Sequence, residues 1–182
     1  MKKQNIHIDD LEFEQLISHE QIQRRISELA EQISREYEGK VPIFVGVLNG
    51  AILFMSDLIR KLHIECEIDF IKISSYGDKR VSSGAITMIK DFSADLHGRD
   101  IIVVEDIVDS GLSVSYLKKR IESMKPSSVK FVSLLVKKDC AVVPLTVDYV
   151  GFEIENKFVI GYGLDLAQKK RNLSAIYQIS EK

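Results

Sequence analysis

The most informative stretch of the chain is Ile101-Ile102-Val103-Val104-Glu105-Asp106-Ile107-Val108-Asp109-Ser110-Gly111-Leu112-Ser113. Four aliphatic residues in a row mark a strand covered on both faces, and the carboxylates of Glu105 and Asp106 follow at once. Both would sit at the carboxyl end of a central strand, the edge of an open α/β sheet where ligands bind. Unpaired charge at such a place costs on the order of several kcal/mol, so the two need partners. Sugar hydroxyls or a divalent cation suit them, because a carboxylate accepts hydroxyl hydrogens and hard cations prefer oxygen. Ser110, Gly111, Leu112 and Ser113 then offer successive backbone N–H groups and two hydroxyls at a helix start. That is a cradle for a phosphate. An isolated Asp-Ser-Gly is usually a plain turn, here with Ser113 as helix N-cap; the longer string around it favours a ligand site.

Other strings are ambiguous one at a time. Leu134-Leu135-Val136-Lys137 ends an apolar run on a lysine, which at a strand exit is ordinarily solvated surface. Val47-Leu48-Asn49-Gly50 could be a helix-entry turn, Phe158 a core residue and Arg171 plain surface. Gly151-Phe152-Glu153, then Lys157-Phe158-Val159-Ile160-Gly161-Tyr162-Gly163-Leu164-Asp165, and the polar segment opened by Ser75-Tyr76 complete the set.

Taken together with the 101–113 string, these residues closely resemble the type I phosphoribosyltransferases, in particular the hypoxanthine-guanine branch, over nearly the whole chain. The resemblance implies a magnesium-dependent reaction in which a 6-oxopurine displaces pyrophosphate from C1 of phosphoribosyl pyrophosphate, giving IMP or GMP. By the same resemblance, Glu105 and Asp106 hold the ribose hydroxyls and Mg2+, with Asp165 near the base edge and a metal-bound water. Asp109 is the catalytic acid/base at purine N7, and Ser110, Gly111, Leu112 and Ser113 form the 5′-phosphate loop. Leu48, Asn49, Gly50 and Arg171 contact the pyrophosphate, the first three in a loop that often contains a non-proline cis peptide. Lys137 donates to the purine O6, Phe158 stacks on the base, and Val159 binds it through its backbone. Ser75 and Tyr76 begin a lid that closes over the reaction. A homodimer or homotetramer is implied as well.

The sequence departs from that pattern at three places. Asn49 stands where many relatives have lysine or arginine, Leu112 replaces a frequently polar residue, and Leu166 follows Asp165 where an aromatic residue is common. Two other readings stay open: a transferase preferring xanthine, and a nucleic-acid-binding regulator that senses ligand on the same fold.

The elements that must position these groups follow from periodicity. Ser18 and Gln21 have capping-box spacing, and Ile22, Ile26, Leu29 and Ile33 then recur at helical spacing until Gly39. Val41 to Val47 reads as a strand, followed after Asn49-Gly50 by a buried helix from Ala51 to Leu62. Cys66, Ile68 and Phe70 alternate with Glu65, Glu67 and Asp69, which predicts a strand with its acidic residues in solvent. Gly77 to Gly84 has no apolar face and reads as a loop. Val114, Leu117, Ile121 and Met124 form a helical stripe ending at Lys125-Pro126, and Val129 to Val136 is a further parallel strand. Val147 to Ile154, Phe158 to Gly161 and Ile176 to Ile179 are short strand candidates. The fold class is α/β: a mostly parallel twisted sheet with helices on both faces. A single domain over 1–182 is expected, with a core of about 20–145 and a small hood from the N-terminal segment and about 146–182.

Composition narrows the remaining classes. The 182 residues are 45% hydrophobic and 29% charged, as in a globular domain. Lys and Arg number 25 against 27 Asp and Glu, a net charge of −2, so there is no basic excess to attract nucleic acid. Cys66 and Cys140 have no CxxC partner, and Met1-Lys2-Lys3-Gln4-Asn5 does not begin a signal peptide, so a reduced cytoplasmic protein without membrane segments is expected. His7, His19, His63 and His97 lack metal-ligand spacing, no P-loop occurs, and Gly161-Tyr162-Gly163 does not continue into a dinucleotide fingerprint. Asp91, Asp95 and Asp100 read as a solvated connection between strands.

Overall fold

The computed structural model describes residues 5–8, 10–75, 86–137, 140, 142 and 146–180. In chain order the elements are β1 (Asn5–Ile8), β2 (Leu11–Ile17), α1 (His19–Glu36), β3 (Ile43–Leu48), α2 (Ile52–Ile59), β4 (Glu67–Ser75), β5 (Ile86–Lys90), β6 (Asp100–Val108), α3 (Leu112–Glu122), β7 (Ser128–Lys137), β8 (Tyr149–Ile154), β9 (Val159–Ile160) and β10 (Ile176–Ile179). Tyr76 and residues 77–84 lie outside the described residues.

Six strands form the main sheet in the order β5-β4-β3-β6-β7-β8. All neighbours pair in parallel except β5, which runs antiparallel to β4 at the edge. The run Ile101–Val104 is fully buried because both faces of β6 are covered. Ile101 and Val103 pack with Val114, Leu117 and Ile121 of α3. Ile102 and Val104 pack on the opposite face with Ile26 and Leu29 of α1 and Phe54 and Leu58 of α2. Each side chain so buried contributes roughly 1.5–3 kcal/mol of transfer free energy.

The first helix starts where the capping box places it. Ser18 Oγ accepts from Gln21 N at 3.3 Å, and Gln21 Oε1 accepts from Ser18 N at 2.9 Å. The helix after β3 is shorter than its apolar run suggests: it stops at Ile59, and Lys61 and Leu62 make only i+3 turns, their amides donating to Leu58 and Ile59 carbonyls.

Strand β4 reverses the expected pattern of its first half. Ile68 is 56% exposed, whereas Asp69 is buried beside fully buried Ile71. The carboxylate can be internal because backbone N–H groups of Phe70, Ser93 and Ala94 donate to it at 2.7, 2.6 and 3.0 Å, with Lys90 Nζ at 3.4 Å. Burial alone would raise its pKa; those amides and the lysine outweigh burial and hold it below the ordinary value.

The chain ends meet in a second, four-stranded sheet of order β1-β2-β10-β9, antiparallel throughout. Its core is Ile8, Phe13, Ile160, Ala175 and Tyr177. Strand β8 instead extends the main sheet beside β7.

Candidate active site

Because β3, β4 and β6 are parallel, their carboxyl ends share one edge of the sheet. There they open a cleft of about 500 Å³. Its lining includes Leu48 at the end of β3 with Asn49 and Gly50 after it, Ile73 and Ser74 of β4, and the acidic end of β6. Ser110, Gly111 and Ser113 follow on the α3 side, and Asp165, Gln168 and Arg171 close it from the C-terminal region.

Glu105 is buried, and its Oε1 finds no hydrogen-bond partner among the described residues. Burial, and then the neighbouring Asp106 charge, push its pKa well above the usual carboxylate range. Asp106 retains partial exposure to solvent but is densely surrounded, and burial pushes its pKa up to about 6. The Ile107 backbone N–H, donating to Oδ1 at 2.9 Å, and the Arg171 charge only partly offset this, while Asp165 adds to it. Two adjacent internal acids, one of them with an unpartnered oxygen, favour any ligand that brings hydroxyl hydrogens or positive charge.

Glycines let the backbone close around this pair. A Cβ on Gly50 would lie 1.5 Å from Asp106 Oδ2, and one on Gly163 would lie 2.0 Å from the Gly50 carbonyl oxygen. The peptide between Leu48 and Asn49 is cis.

The turn after β6 takes Gly111 into the left-handed region at φ 80°, where it serves as N-cap of α3. Ser113 therefore lies inside the helix and does not cap it. Among the described residues no side chain caps α3, and Leu112 N is 3.5 Å from Ser110 Oγ, the limit of a hydrogen bond. An uncapped helix start with a glycine before it presents free amides and positive dipole to an anion.

At the end of β7, Lys137 Nζ donates to Asp109 Oδ2 at 2.8 Å and to Asn156 Oδ1 at 3.2 Å. Arg171 forms an ion pair with Asp165 at 2.7 Å and donates to the Gly163 carbonyl at 2.7 Å and to Gln168 Oε1 at 3.1 Å. Phe158 is 47% exposed beside β9, its ring centroid 6.5 Å from that of buried Phe13. Val159 is buried in β9 opposite Gln178.

The cleft thus gathers Leu48, Asn49, Gly50, Glu105, Asp106, Asp109, Ser110, Gly111, Ser113, Asp165 and Arg171. Lys137 joins through its ion pair with Asp109. Leu112, Phe158 and Val159 do not line it. Ser75 ends β4 opposite Ile86, and Tyr76 lies outside the described residues. Two residues were not foreseen. Gln168 lines the cleft and binds both Asp165, through its backbone N–H at 2.8 Å, and Arg171. Asn156 holds Lys137. Their only sequence signal was proximity to residues already singled out.

Among the described residues no three His, Cys, Asp or Glu side chains form a cage for a metal ion. Magnesium seldom needs one, since it is usually held by one or two carboxylates with water and substrate oxygens completing the shell. Glu105, with its unpartnered oxygen, and the adjacent Asp106, with Asp165 acting electrostatically on Asp106, are a donor set of that kind.

Residues 12–167 match the phosphoribosyl transferase domain family. The hypoxanthine-guanine phosphoribosyltransferase of Bacillus subtilis is 45% identical over 161 residues, covering 88% of this chain and 89% of that protein. The bifunctional protein TilS/HprT of Listeria monocytogenes is 48% identical over 161 residues, and the chain spans about a quarter of that longer relative, 25%. A crystal structure of a Bacillus anthracis hypoxanthine-guanine phosphoribosyltransferase, with HEPES in its active site, superposes with a TM-score of 0.87 at 43% identity, covering 91% of this chain and 98% of that one. The acidic strand end and uncapped helix start therefore sit in a chain that belongs to the hypoxanthine-guanine phosphoribosyltransferase family.

Proposed function

We propose that this protein transfers the phosphoribosyl group of phosphoribosyl pyrophosphate to hypoxanthine or guanine, releasing pyrophosphate and forming IMP or GMP. One observation carries the reading: on β6 the buried Glu105, with one carboxylate oxygen lacking a partner among the described residues, and Asp106 beside it stand one turn ahead of an uncapped helix start. A ribose 5-phosphate offers hydroxyl hydrogens to the first and a phosphate to the second.

The amides of residues 111–113 and the Ser110 and Ser113 hydroxyls hold the 5′-phosphate. Glu105 and Asp106 accept from the ribose hydroxyls, which fixes C1 toward the base. The Leu48-Asn49-Gly50 loop and the Arg171 guanidinium receive the diphosphate and stabilise the charge it gains on leaving. Lys137 donates to O6, which selects 6-oxopurines over 6-aminopurines. Asp109 manages the proton at N7. Phe158 stacks on the base, and the Val159 backbone contacts it. Glu105 and Asp106, with Asp165 nearby, would hold Mg2+, which when bound supplies positive charge for the diphosphate oxygens. Ser75 and Tyr76 would begin a lid that excludes water.

We further read the chain as one domain whose small sheet acts as a hood over the base, working in the cytoplasm as a homodimer or homotetramer. Among the described residues, no helix is long and apolar enough to cross a membrane. The experiment is a panel of hypoxanthine, guanine, xanthine and adenine with phosphoribosyl pyrophosphate and magnesium, following nucleotide and pyrophosphate together. Hypoxanthine and guanine should be consumed. Consumption of xanthine in preference to both would replace the proposed substrate, and no turnover with any base would remove the reading.

A further inference from the structure

Tyr162 has no part in the transfer chemistry above, yet it is held in an unfavourable place. It is 3% exposed and adopts φ 50°, a region that non-glycine residues seldom enter and that costs on the order of 1–3 kcal/mol. Its hydroxyl donates to Asp57 Oδ2 at 2.6 Å. Gln23 Nε2 donates to the same oxygen at 2.5 Å and lies 3.5 Å from the phenol oxygen. The Arg60 guanidinium is 3.7 Å from the other carboxylate oxygen. Burial and the Asp57 carboxylate drive the phenol pKa upward, so Tyr162 remains the donor. Three separate parts of the chain meet here: α1, α2 and the turn at 161–164.

What that turn carries gives the contact its meaning. Tyr162 N donates to the Leu173 carbonyl at 2.8 Å, and Gly163 N donates to the Arg171 carbonyl at 2.9 Å. The Arg171 guanidinium in turn donates to the Gly163 carbonyl at 2.7 Å. Any shift of Tyr162 therefore moves Arg171, and with it the Asp165 to which Arg171 is paired. On the other side, α2 begins directly after Asn49-Gly50, and the Gly163 Cα rests so close to the Gly50 carbonyl that a Cβ would come within 2.0 Å. The phenol–carboxylate bond thus joins the two walls of the cleft from behind.

We propose that Tyr162 and Asp57 are positioning residues that hold the turn bearing Asp165 and Arg171 in register with the Leu48-Asn49-Gly50 loop, so that both meet one diphosphate. The inference rests on the transferase reading above. Displacing such groups by about 1 Å can cost about 100-fold in rate.

A second pair of the same chemistry supplies the control. Tyr149, buried at the start of β8, donates to Glu36 at the end of α1, and neither lines the cleft. The test compares wild type with Tyr162→Phe, Asp57→Ala, Asp57→Asn and Tyr149→Phe. It reads kcat and KM for phosphoribosyl pyrophosphate well below each variant's melting temperature, and the affinity for phosphoribosyl pyrophosphate by calorimetry. Tyr162→Phe and Asp57→Ala should lower kcat/KM by roughly 10- to 100-fold and weaken binding. Asp57→Asn keeps an acceptor for the phenol and should stay within about threefold of wild type. Tyr149→Phe should lose stability and keep its kinetics. Wild-type kinetics in Tyr162→Phe or Asp57→Ala, an equal kinetic loss in Tyr149→Phe, or a loss in Asp57→Asn matching that in Asp57→Ala would each overturn the proposal. Should Tyr162→Phe not fold, the two Asp57 variants decide it. A wild type that makes no nucleotide defeats the transferase reading instead, and the calorimetric comparison still reports on the register.

Discussion

Lys137 Nζ lies 2.8 Å from Asp109 Oδ2, an ion pair that bridges the carboxyl ends of β7 and β6. The lysine side chain is 12% exposed and the carboxylate 53%, so the cation is enclosed while the anion faces outward. Ion pairs with an exposed member contribute only about 0–1 kcal/mol. The two groups can therefore exchange each other for a purine that offers O6 to one and N7 to the other.

If Asp109 manages the N7 proton, Asp109→Asn lowers kcat by roughly 10²- to 10⁴-fold, the range of positioned acid/base groups. Affinity for phosphoribosyl pyrophosphate should change by no more than a few-fold, because Asp109 does not hold the sugar. Steady-state kinetics beside a direct binding titration checks the split. Equal turnover in mutant and wild type would take the role away from Asp109.

Lys137→Met keeps most of the apolar stem and removes the donor. A hydrogen bond from a charged group contributes about 1.5–3 kcal/mol, so kcat/KM for hypoxanthine should fall by roughly 10- to 150-fold. Discrimination against adenine should shrink. A mutant that still prefers hypoxanthine as strongly as wild type would place the O6 contact elsewhere.

Gly50→Ala puts a methyl group 1.5 Å from where Asp106 Oδ2 now sits. The carboxylate must move away from the sugar site, and KM for phosphoribosyl pyrophosphate should rise at least about tenfold, with overpacking costing about 1–3 kcal/mol of stability. Kinetics with thermal unfolding of the same preparation tests this; an unchanged KM would contradict it.

The raised pKa of Asp106 has a definite sign in stability. The folded protein keeps this proton up to about pH 6, whereas the unfolded chain releases it near roughly pH 4. Between those values the folded state binds more protons, so this group's contribution to stability falls as pH rises, and the loss is complete above the folded value. Asp106→Asn removes the slope. Its stability relative to wild type, from urea unfolding, should therefore rise between about pH 4 and about pH 7; a flat or falling difference would contradict the assignment.

Much of this architecture was legible in the residues, and the exceptions have physical causes. Ile101–Val104 announced a doubly covered strand because burial on both faces leaves no alternation to misread. Ser18 and Gln21 fixed the start of α1 because a capping box is local chemistry. The first half of β4 was misread because periodicity counts side-chain types and not their partners: Asp69 is internal on the strength of amides from Ser93 and Ala94, far along the chain. Within the site, the 101–113 string gave both carboxylates and the helix start. What it could not give is which groups touch. The Lys137–Asp109 pair joins two strands, Asn156 reaches Lys137 from the turn after β8, and Tyr162 meets Asp57 across the fold.

Asp69 gives a test of stability away from the cleft. Its depressed pKa means a contribution present above the ordinary carboxylate value and lost as pH falls through the folded one. Asp69→Ala leaves the amides of Phe70, Ser93 and Ala94 without this acceptor and should cost about 2–4 kcal/mol at neutral pH. Urea unfolding measures it, and a cost below about 1 kcal/mol would mean that these amides find other acceptors.

The central claim is that the acidic end of β6 and the start of α3 grip one phosphorylated ribose. Its most direct test is a crystal structure with the nucleoside monophosphate product bound. The phosphate should lie on the amides of residues 111–113, the ribose hydroxyls against Glu105 and Asp106, and the purine O6 at Lys137. A nucleotide bound with its phosphate away from Ser110–Ser113, or a cleft left empty at saturating nucleotide, would contradict the account.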